Sequence, residues 1–185
     1  MDKASSCYRR YLEGDENAPR EIMDELFYGL VFFTDRIVHD VHAAEDIALD
    51  VMADLFVHKH RYDFRTSLKT YVYMRAKSRA LDHLRRCRRA NLTELSEAEA
   101  YPDERAELER RVLENERKRA VDSAVEALPA EMRAAVHLVC FDGMSYAEAA
   151  KVMGKNRKQI DNLLFRAKKE LAASLGEEGR ALLGE

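Results

Sequence analysis

The chain has 185 residues, of which 46% are hydrophobic and 35% charged, so it carries enough apolar side chain to form a core and is not a disordered polymer. Its 7 Gly and 3 Pro are few beside the abundant Ala, Leu, Glu, Arg and Lys. These abundant residues favour helices, and we expect an all-α protein. No apolar run approaches the roughly 18 residues of a membrane helix, and the first residues lack the apolar core of a signal peptide. We therefore expect a cytoplasmic protein without membrane insertion.

The net charge of −3 hides two segments of opposite sign. Residues 65–89 carry nine basic side chains and a single acid, Asp82, whereas residues 91–116 carry nine acids and three arginines. Such segregation indicates a nucleic-acid contact for the basic segment and a basic partner for the acidic one. The alternative, that both segments are solvated helix faces, stays open at this point.

The N-terminal half predicts three helices that form one module over residues 1–90. Residues 58–64 break the helical pattern and are interpreted as a loop. The third helix begins near Thr66 or Ser67, either of which is able to cap it, and continues to about Arg89. The first two helices have apolar residues at steps of three and four, namely Leu26, Leu30, Phe33 and Ile37, then Ile47, Val51 and Leu55.

Residues 91–115 are polar and acidic and are interpreted as a linker. A second module follows over residues 116–175, and residues 176–185 form a C-terminal tail. The first helix of the second module ends near Leu128. Pro129 suits the first turn of the next helix, which we expect to end at Gly143.

The most informative stretch of the second module is a predicted helix-turn-helix. Ser145 and Glu148 have the spacing of a capping box, a short helix runs from there to Met153, and Gly154 supplies a turn. A longer basic helix then runs from about Asn156 to Ser174. This order is typical of a helix-turn-helix, and the alternative is a helical hairpin that only packs.

In a helix-turn-helix the second helix enters the major groove of duplex DNA. Amide and lysine side chains near its start suit base edges, and these are Asn156, Lys158, Gln159 and Asn162. Arg166 and Lys169 lie farther along and suit phosphates.

The helix after the loop mixes aromatic and basic side chains. Single-stranded DNA is typically bound by aromatic rings that stack on the bases and by cations that lie along the DNA backbone. The alternative is that the rings belong to the core. The side chains concerned are Tyr62, Phe64, Tyr71 and Tyr73, among Arg65, Lys69, Arg75 and Arg79.

No pattern predicts catalysis. The three cysteines are far apart, which indicates neither a disulfide framework nor a cysteine zinc site. The histidines are scattered, and no phosphate loop, nucleophile elbow or zinc-protease motif occurs. We expect no metal, no cofactor and no enzymatic activity.

Several of these stretches resemble a known family. Residues 44–56, 61–73 and 80–86 resemble region 2 of the bacterial RNA polymerase sigma factors of the sigma-70 family, and residues 127–129, 143–150 and 160–171 resemble region 4. With only these two regions and a short linker, the chain is similar to the extracytoplasmic-function (ECF) group. The resemblance implies an all-α fold of two small helical domains, a region 2 bundle and a region 4 helix-turn-helix, joined by a flexible acidic linker.

The family resemblance implies core RNA polymerase and promoter DNA as partners. The helix over residues 46–56 would bind the clamp helices of the β′ subunit, through Asp46, Leu49, Asp50, Met52, Ala53 and Phe56. Region 2 would capture the opened non-template strand of the minus-ten element, through Tyr62, Asp63, Phe64, Arg65, Lys69, Tyr71, Arg75, Arg79, His83 and Arg86.

Region 4 would read the minus-thirty-five element as duplex and would also hold the β flap. Its DNA-binding residues would be Lys155, Asn156, Lys158, Gln159, Asn162, Arg166 and Lys169. The acidic linker would follow the RNA-exit path, and an anti-sigma factor is a further candidate partner.

This sequence departs from the family pattern at several positions. The usual Gln-Glu pair of the clamp-binding helix is Leu49-Asp50, and the usual Trp of the strand-opening helix is Tyr71. The recognition helix has Arg157, Leu163 and Phe165 at unusual places, so the promoter preference of relatives does not carry over.

Two rival functions remain at this stage. One is a stand-alone helix-turn-helix regulator whose N-terminal half only dimerises or senses a ligand. The other is an adaptor without DNA contact, whose binding would show little salt dependence.

Overall fold

The computed structural model describes residues 2–93 and 116–182, and the side chains of residues 2–89 and 121–175. The described residues form helices and no strand, as the composition predicts. The helices are α1 (Lys3–Leu12), α2 (Ala18–Val38), α3 (Val41–Val57), α4 (Leu68–Thr93), α5 (Glu116–Glu126), α6 (Ala130–Val136), α7 (Tyr146–Met153) and α8 (Arg157–Leu182).

Helices α1 to α4 form the first module, in which α2 packs against each of the other three. The apolar stripes that predicted α2 and α3 point into its core, where Leu26, Leu30, Phe33, Val51 and Leu55 are buried. Each such side chain contributes about 1.5–3 kcal/mol when it is removed from water. Helix α1 was not singled out in the sequence, and it covers the same core with Tyr8.

Local chemistry sets the ends of the helices in this module. His39 adopts a left-handed conformation (φ 57°) that ends α2, and the Asp40 carboxylate accepts a hydrogen bond from the Ala43 N–H at 3.1 Å to begin α3. The predicted loop after α3 is confirmed, and irregular backbone extends from His58 to Ser67.

Helices α5 to α8 form the second module, in which α5, α6 and α7 all pack on α8. The predicted helix from Pro129 to Gly143 differs from the structure. Regular helix ends at Val136, and a π-helical turn, His137–Phe141, follows. The predicted stripe of α8 is buried as expected, with Ile160, Leu164, Ala167 and Leu171 in the core.

The two modules pack against each other, α4 on α7 and α2 on α6, and share a continuous apolar core. The first residues of the predicted acidic linker, 91–93, belong to α4, and residues 94–115 lie outside the described part of the chain. Helix α8 continues to Leu182, into the segment predicted as a C-terminal tail.

Candidate nucleic-acid interface

The helix-turn-helix is formed by α7, the turn at Gly154 and α8. The predicted capping box is confirmed: the Glu148 N–H donates to Ser145 Oγ at 3.3 Å, and the Ser145 N–H donates to Glu148 Oε2 at 3.0 Å. Gly154 has a left-handed conformation (φ 68°), which glycine adopts without the steric cost of a Cβ. The sharp turn sets the angle at which α8 leaves the core.

The N-terminal turns of α8 present their polar side chains to solvent. Asn156, Lys158, Gln159 and Asn162 are all exposed, and Ile160 between them is fully buried. The burial of one face fixes the orientation of the other. These four side chains therefore form one outward surface, the recognition face, as a major-groove helix requires.

Asn156 and Gln159 also have a structural role that the sequence reading missed. The Gln159 N–H donates to Asn156 Oδ1 at 2.9 Å, and the Asn156 N–H donates to Gln159 Oε1 at 2.8 Å. This reciprocal pair caps α8, and its signal in the sequence is the Asn-x-x-Gln spacing. Because only the side-chain oxygens of Asn156 and Gln159 take part in this pair, their side-chain NH₂ groups can still donate to a base.

The other duplex-binding candidates differ in their surroundings. Arg166 and Lys169 are exposed farther along α8, where they suit phosphates. Lys155 forms an ion pair with Glu131 at 2.7 Å and is less accessible.

The loop before α4 is held by a hydrogen-bonded cluster around Tyr62. Its ring is 3% exposed, and its hydroxyl donates to the Thr66 carbonyl at 2.7 Å. Ser5 Oγ of α1 lies 2.9 Å from that hydroxyl and accepts the Leu68 N–H at 2.9 Å. Burial raises the pKa of Tyr62. Tyr62 therefore supports the loop in this structure and does not present a stacking surface.

The remaining loop side chains are more accessible. Asp63 and Arg65 are exposed, and Phe64 is half-buried with a left-handed backbone (φ 60°). A bulky residue is rare in that conformation, and such strain clusters at functional sites. The Tyr71 ring is half-buried, 5.2 Å from the Tyr62 ring. Phe64 and Tyr71 are therefore the aromatic side chains that keep part of their surface at the loop.

The basic side chains of α4 face in three directions. Arg75 and Arg79 turn toward α3, where Asp54 accepts from Arg75 at 3.2 Å and Asp50 from Arg79 at 2.8 Å. Lys69 turns toward the second module. Toward the end of α4, Arg86 is exposed, and His83 is half-buried with its Nε2 3.4 Å from the Cys87 sulfur. The predicted single-strand residues of α4 thus share one helix but not one surface.

Asp54 organises the junction of α3 and α4. Its carboxylate also accepts from Arg61 at 2.8 Å and lies 2.9 Å from His58 Nδ1. Burial by itself would raise the pKa of Asp54. The attraction of Arg61 and the hydrogen bonds from Arg75 and Arg61 outweigh it, so the pKa lies below its usual value.

This arrangement predicts an acid-dependent loss of stability. The stabilisation by the ionised Asp54 is complete above the unfolded-state pKa of about 3.9 and is lost as the pH falls through the lower folded-state value. Asp54→Asn should lower the free energy of unfolding by about 1–3 kcal/mol at neutral pH. The difference from the unsubstituted protein should shrink between about pH 5 and pH 3, as measured by urea unfolding.

Asp50→Asn is the matched control for Asp54→Asn. The Asp50 side chain is 72% exposed and pairs with Arg79, and an exposed pair contributes about 0.5 kcal/mol or less. Equal losses for the two variants, or a pH-independent difference, would contradict the central role of Asp54.

Four of the six predicted polymerase-binding residues form an exposed face of α3. Asp46, Leu49, Asp50 and Ala53 are exposed, and Leu49 is 49% exposed despite its apolar side chain. Phe56 is half-buried against the Tyr11 ring at 5.4 Å. Met52 is 2% exposed and belongs to the core, because it lies on the same face of α3 as the buried Ala48 and Leu55.

No group of three or more His, Cys, Asp or Glu side chains in residues 2–93 and 116–182 is arranged to hold a metal ion. In the same ranges, every helix is too short or too polar to cross a membrane.

Two helical modules, one with a helix-turn-helix and one with a basic, aromatic helix after a strained loop, have the arrangement that the sequence led us to expect of a DNA-binding protein. The family model for sigma-70 region 2 matches residues 26–90, and that for sigma-70 region 4 matches residues 118–171. The chain belongs to the sigma-70 family of bacterial RNA polymerase sigma factors, in the ECF group.

Known sigma factors are similar to this chain over most of its length. The RNA polymerase sigma-H factor of Pseudomonas aeruginosa is 25% identical over 183 residues, 95% of each chain. The ECF sigma factor SigM of Mycobacterium tuberculosis is 26% identical over 161 residues, 85% of this chain and 79% of SigM.

Solved structures show the same fold. The sigma factor RpoE of Bartonella quintana, in complex with the anti-sigma factor NepR, has a TM-score of 0.66 at 17% identity and covers 87% of this chain and 98% of its own. CnrH, in complex with the cytosolic domain of CnrY, has a TM-score of 0.64 at 18% identity and covers 94% and 97%. As a sigma factor, the chain binds core RNA polymerase, directs it to specific promoters and promotes DNA opening.

Proposed function

We propose that the two modules divide promoter recognition between single-stranded and duplex DNA. The loop over residues 61–67 and α4 hold the opened non-template strand of the minus-ten element, and the recognition face of α8 reads the minus-thirty-five element in the major groove. The exposed recognition face, oriented by the buried Ile160, carries this proposal. Its amide and lysine side chains are of the kind that pairs with base edges.

The first module supports the single-strand assignment through its loop. Phe64 and Tyr71 offer ring surface, and Arg65 offers an exposed cation, within one short segment. Stacking on a ring contributes about 1–3 kcal/mol per base. The buried Tyr62 holds the loop in place. Ser5 is a positioning residue because its hydroxyl contacts both Tyr62 and the first turn of α4.

The exposed face of α3 is the proposed docking site for the β′ clamp helices. It combines the apolar Leu49 and Ala53 with the acidic Asp46 and Asp50. Met52 contributes from the core by supporting this helix. The predicted contacts of the β flap with the second module and of the acidic linker with the RNA-exit path complete the assembly on core polymerase.

Three further parts of the proposal concern the setting of the protein. It acts in the cytoplasm, where its polymerase is. It catalyses no reaction itself, because bond formation belongs to the polymerase. An anti-sigma factor is a further proposed partner, since the Bartonella quintana structure is a complex of that kind, and the 71% exposed Phe165 offers an apolar contact.

The proposal is tested by transcription with purified components. Core polymerase, this protein and a library of random upstream sequences should yield transcripts from templates that share two short elements separated by a fixed spacing. Templates selected only by duplex binding in the absence of polymerase, with no transcript when polymerase is added, would instead favour a stand-alone helix-turn-helix regulator.

A further inference from the structure

One face of the first module is occupied by the second module. It consists of Ser67 and the α4 residues Lys69, Thr70, Tyr73 and Lys77, and we call it the α4 face. Tyr73 Oη donates to Asp142 Oδ1 at 2.9 Å. The Lys69 ammonium donates to the Asp142 carbonyl and lies 3.7 Å from Asp142 Oδ1.

The other donor groups of the α4 face also contact acceptor oxygens of the second module. Ser67 Oγ donates to Glu148 Oε1 at 2.8 Å, and Thr70 Oγ1 lies 3.4 Å from the same oxygen. Lys77 Nζ donates at 2.7 Å to the carbonyl of Met153, the last residue of α7. A helix C-terminus carries partial negative charge. The second module therefore offers two carboxylates and a helix end to this face.

Asp142 is held in place for this contact. The His137 Nδ1–H donates to Asp142 Oδ2 at 2.9 Å, and the Asp142 N–H donates to the His137 carbonyl at 3.0 Å. His137 begins the π-helical turn, and π-helical turns are frequent at functional sites. Contacts within the second module therefore hold the Asp142 carboxylate in position, independently of α4.

A glycine on α2 makes room for the contact. A Cβ at Gly29 would lie 2.6 Å from Tyr73 Oη and 3.1 Å from Asp142 Oδ1. Because Tyr73 is 1% exposed, its ring has little space to yield. The hydrogen bond from Tyr73 to Asp142 therefore requires glycine at this position.

The α4 face overlaps the proposed single-strand site but leaves the duplex site free. Lys69 belongs to both the α4 face and the minus-ten set, and Ser67 belongs to both the α4 face and the loop over residues 61–67. The ion pair between the Lys69 ammonium and the Asp142 carboxylate is the same kind of charge contact as that between a lysine and a DNA phosphate. The recognition face of α8 stays exposed in this arrangement.

We propose that the second module competes, within the same chain, with single-stranded DNA for the α4 face. This inference rests on the proposed function of α4 and adds a regulation of it. In the free protein the contacts of Asp142, Glu148 and Met153 hold the modules together, and strand capture requires their separation. The free protein then has its duplex-reading surface available, while the part of its strand-capturing surface formed by Ser67 and Lys69 is covered.

Two substitutions that open the contact by different means test this competition in the full chain. Gly29→Ala displaces Tyr73 from Asp142 without a change in charge, and alanine favours helix α2. Asp142→Ala removes the acceptor, and Glu170→Ala is its control because it removes one acid from an exposed position of the same module. Thermal unfolding of each variant verifies that the modules stay folded.

Two measurements are made on each protein. Spin labels on Cys87 and Cys140, exposed cysteines of the first and second modules, report the distance between the modules in a background in which the buried Cys7 is serine. A fluorescent single-stranded minus-ten oligonucleotide reports the Kd for strand binding. Gly29→Ala and Asp142→Ala should lengthen the distance and tighten strand binding about three- to tenfold, and Glu170→Ala should behave as the unsubstituted protein.

The proposed competition is contradicted if Gly29→Ala and Asp142→Ala both bind the strand no more tightly than the unsubstituted protein while binding still depends on Tyr71. It is also wrong if neither variant changes the distance. Tyr71→Ala, added to each protein, separates this failure from that of the proposed function. If strand binding is insensitive to Tyr71→Ala in every background, the assignment of α4 to single-stranded DNA falls and the competition falls with it.

Discussion

Aspartate at both Leu49 and Ala53 should abolish binding of the protein to core polymerase. The two side chains are one helical turn apart on the exposed face of α3, so they would meet the same partner surface. Loss of one apolar contact at the centre of an interface costs about 2–4 kcal/mol, and unpaired carboxylates buried there cost more. We expect the Kd for core polymerase to rise by at least about 100-fold.

The control for this double variant is Tyr28→Asp. Tyr28 is 80% exposed and lies on α2, so the substitution places one such carboxylate on another exposed hydrophobic position of the first module. Fluorescence titration of labelled protein with core polymerase measures both variants. If Tyr28→Asp weakens binding as much as the double variant does, α3 is not the docking helix.

Alanine at both Lys158 and Asn162 should remove the preference of the holoenzyme for its minus-thirty-five element. Both side chains lie on the recognition face of α8, and a good base contact discriminates by about 1–3 kcal/mol. The ratio of affinities for the selected promoter and for one with a scrambled minus-thirty-five element should fall roughly 30-fold or more if both contacts are made. Competition binding of holoenzyme to the two promoters measures this ratio.

Lys168→Ala is the control for the recognition-face variant. Lys168 is exposed on α8 but lies outside the recognition face, so its loss removes one positive charge from the same helix. Overall DNA affinity should weaken slightly and the ratio should stay unchanged. A similar fall of the ratio for both variants would show that α8 contributes only charge.

Features with local causes could be predicted from the sequence. The apolar stripes of α2, α3 and α8 determine which side chains are buried, and the Ser145–Glu148 capping box depends on residues three positions apart. The helix-turn-helix follows from these and Gly154. The resemblance to sigma regions 2 and 4 then gave the family, which the comparisons confirm.

Features that depend on distant contacts could not be predicted. Tyr62 has the chemistry of a stacking residue, and only the packing of α1, with Ser5, shows that it is buried. Met52 lies beside the exposed Ala53 in sequence but is buried in the core. The contact of Asp142 with Tyr73 joins residues 69 positions apart, and no periodicity reports it.

Photo-crosslinking in the open promoter complex tests the division of labour most directly. A photoreactive amino acid replaces Arg65, on the loop, in one protein and Asn162, on the recognition face, in another. We expect the probe at position 65 to reach only the non-template strand of the opened minus-ten segment, and the probe at position 162 to reach duplex DNA about two helical turns upstream. Crosslinks from both positions to the same duplex segment, or from position 65 to closed duplex alone, would contradict it.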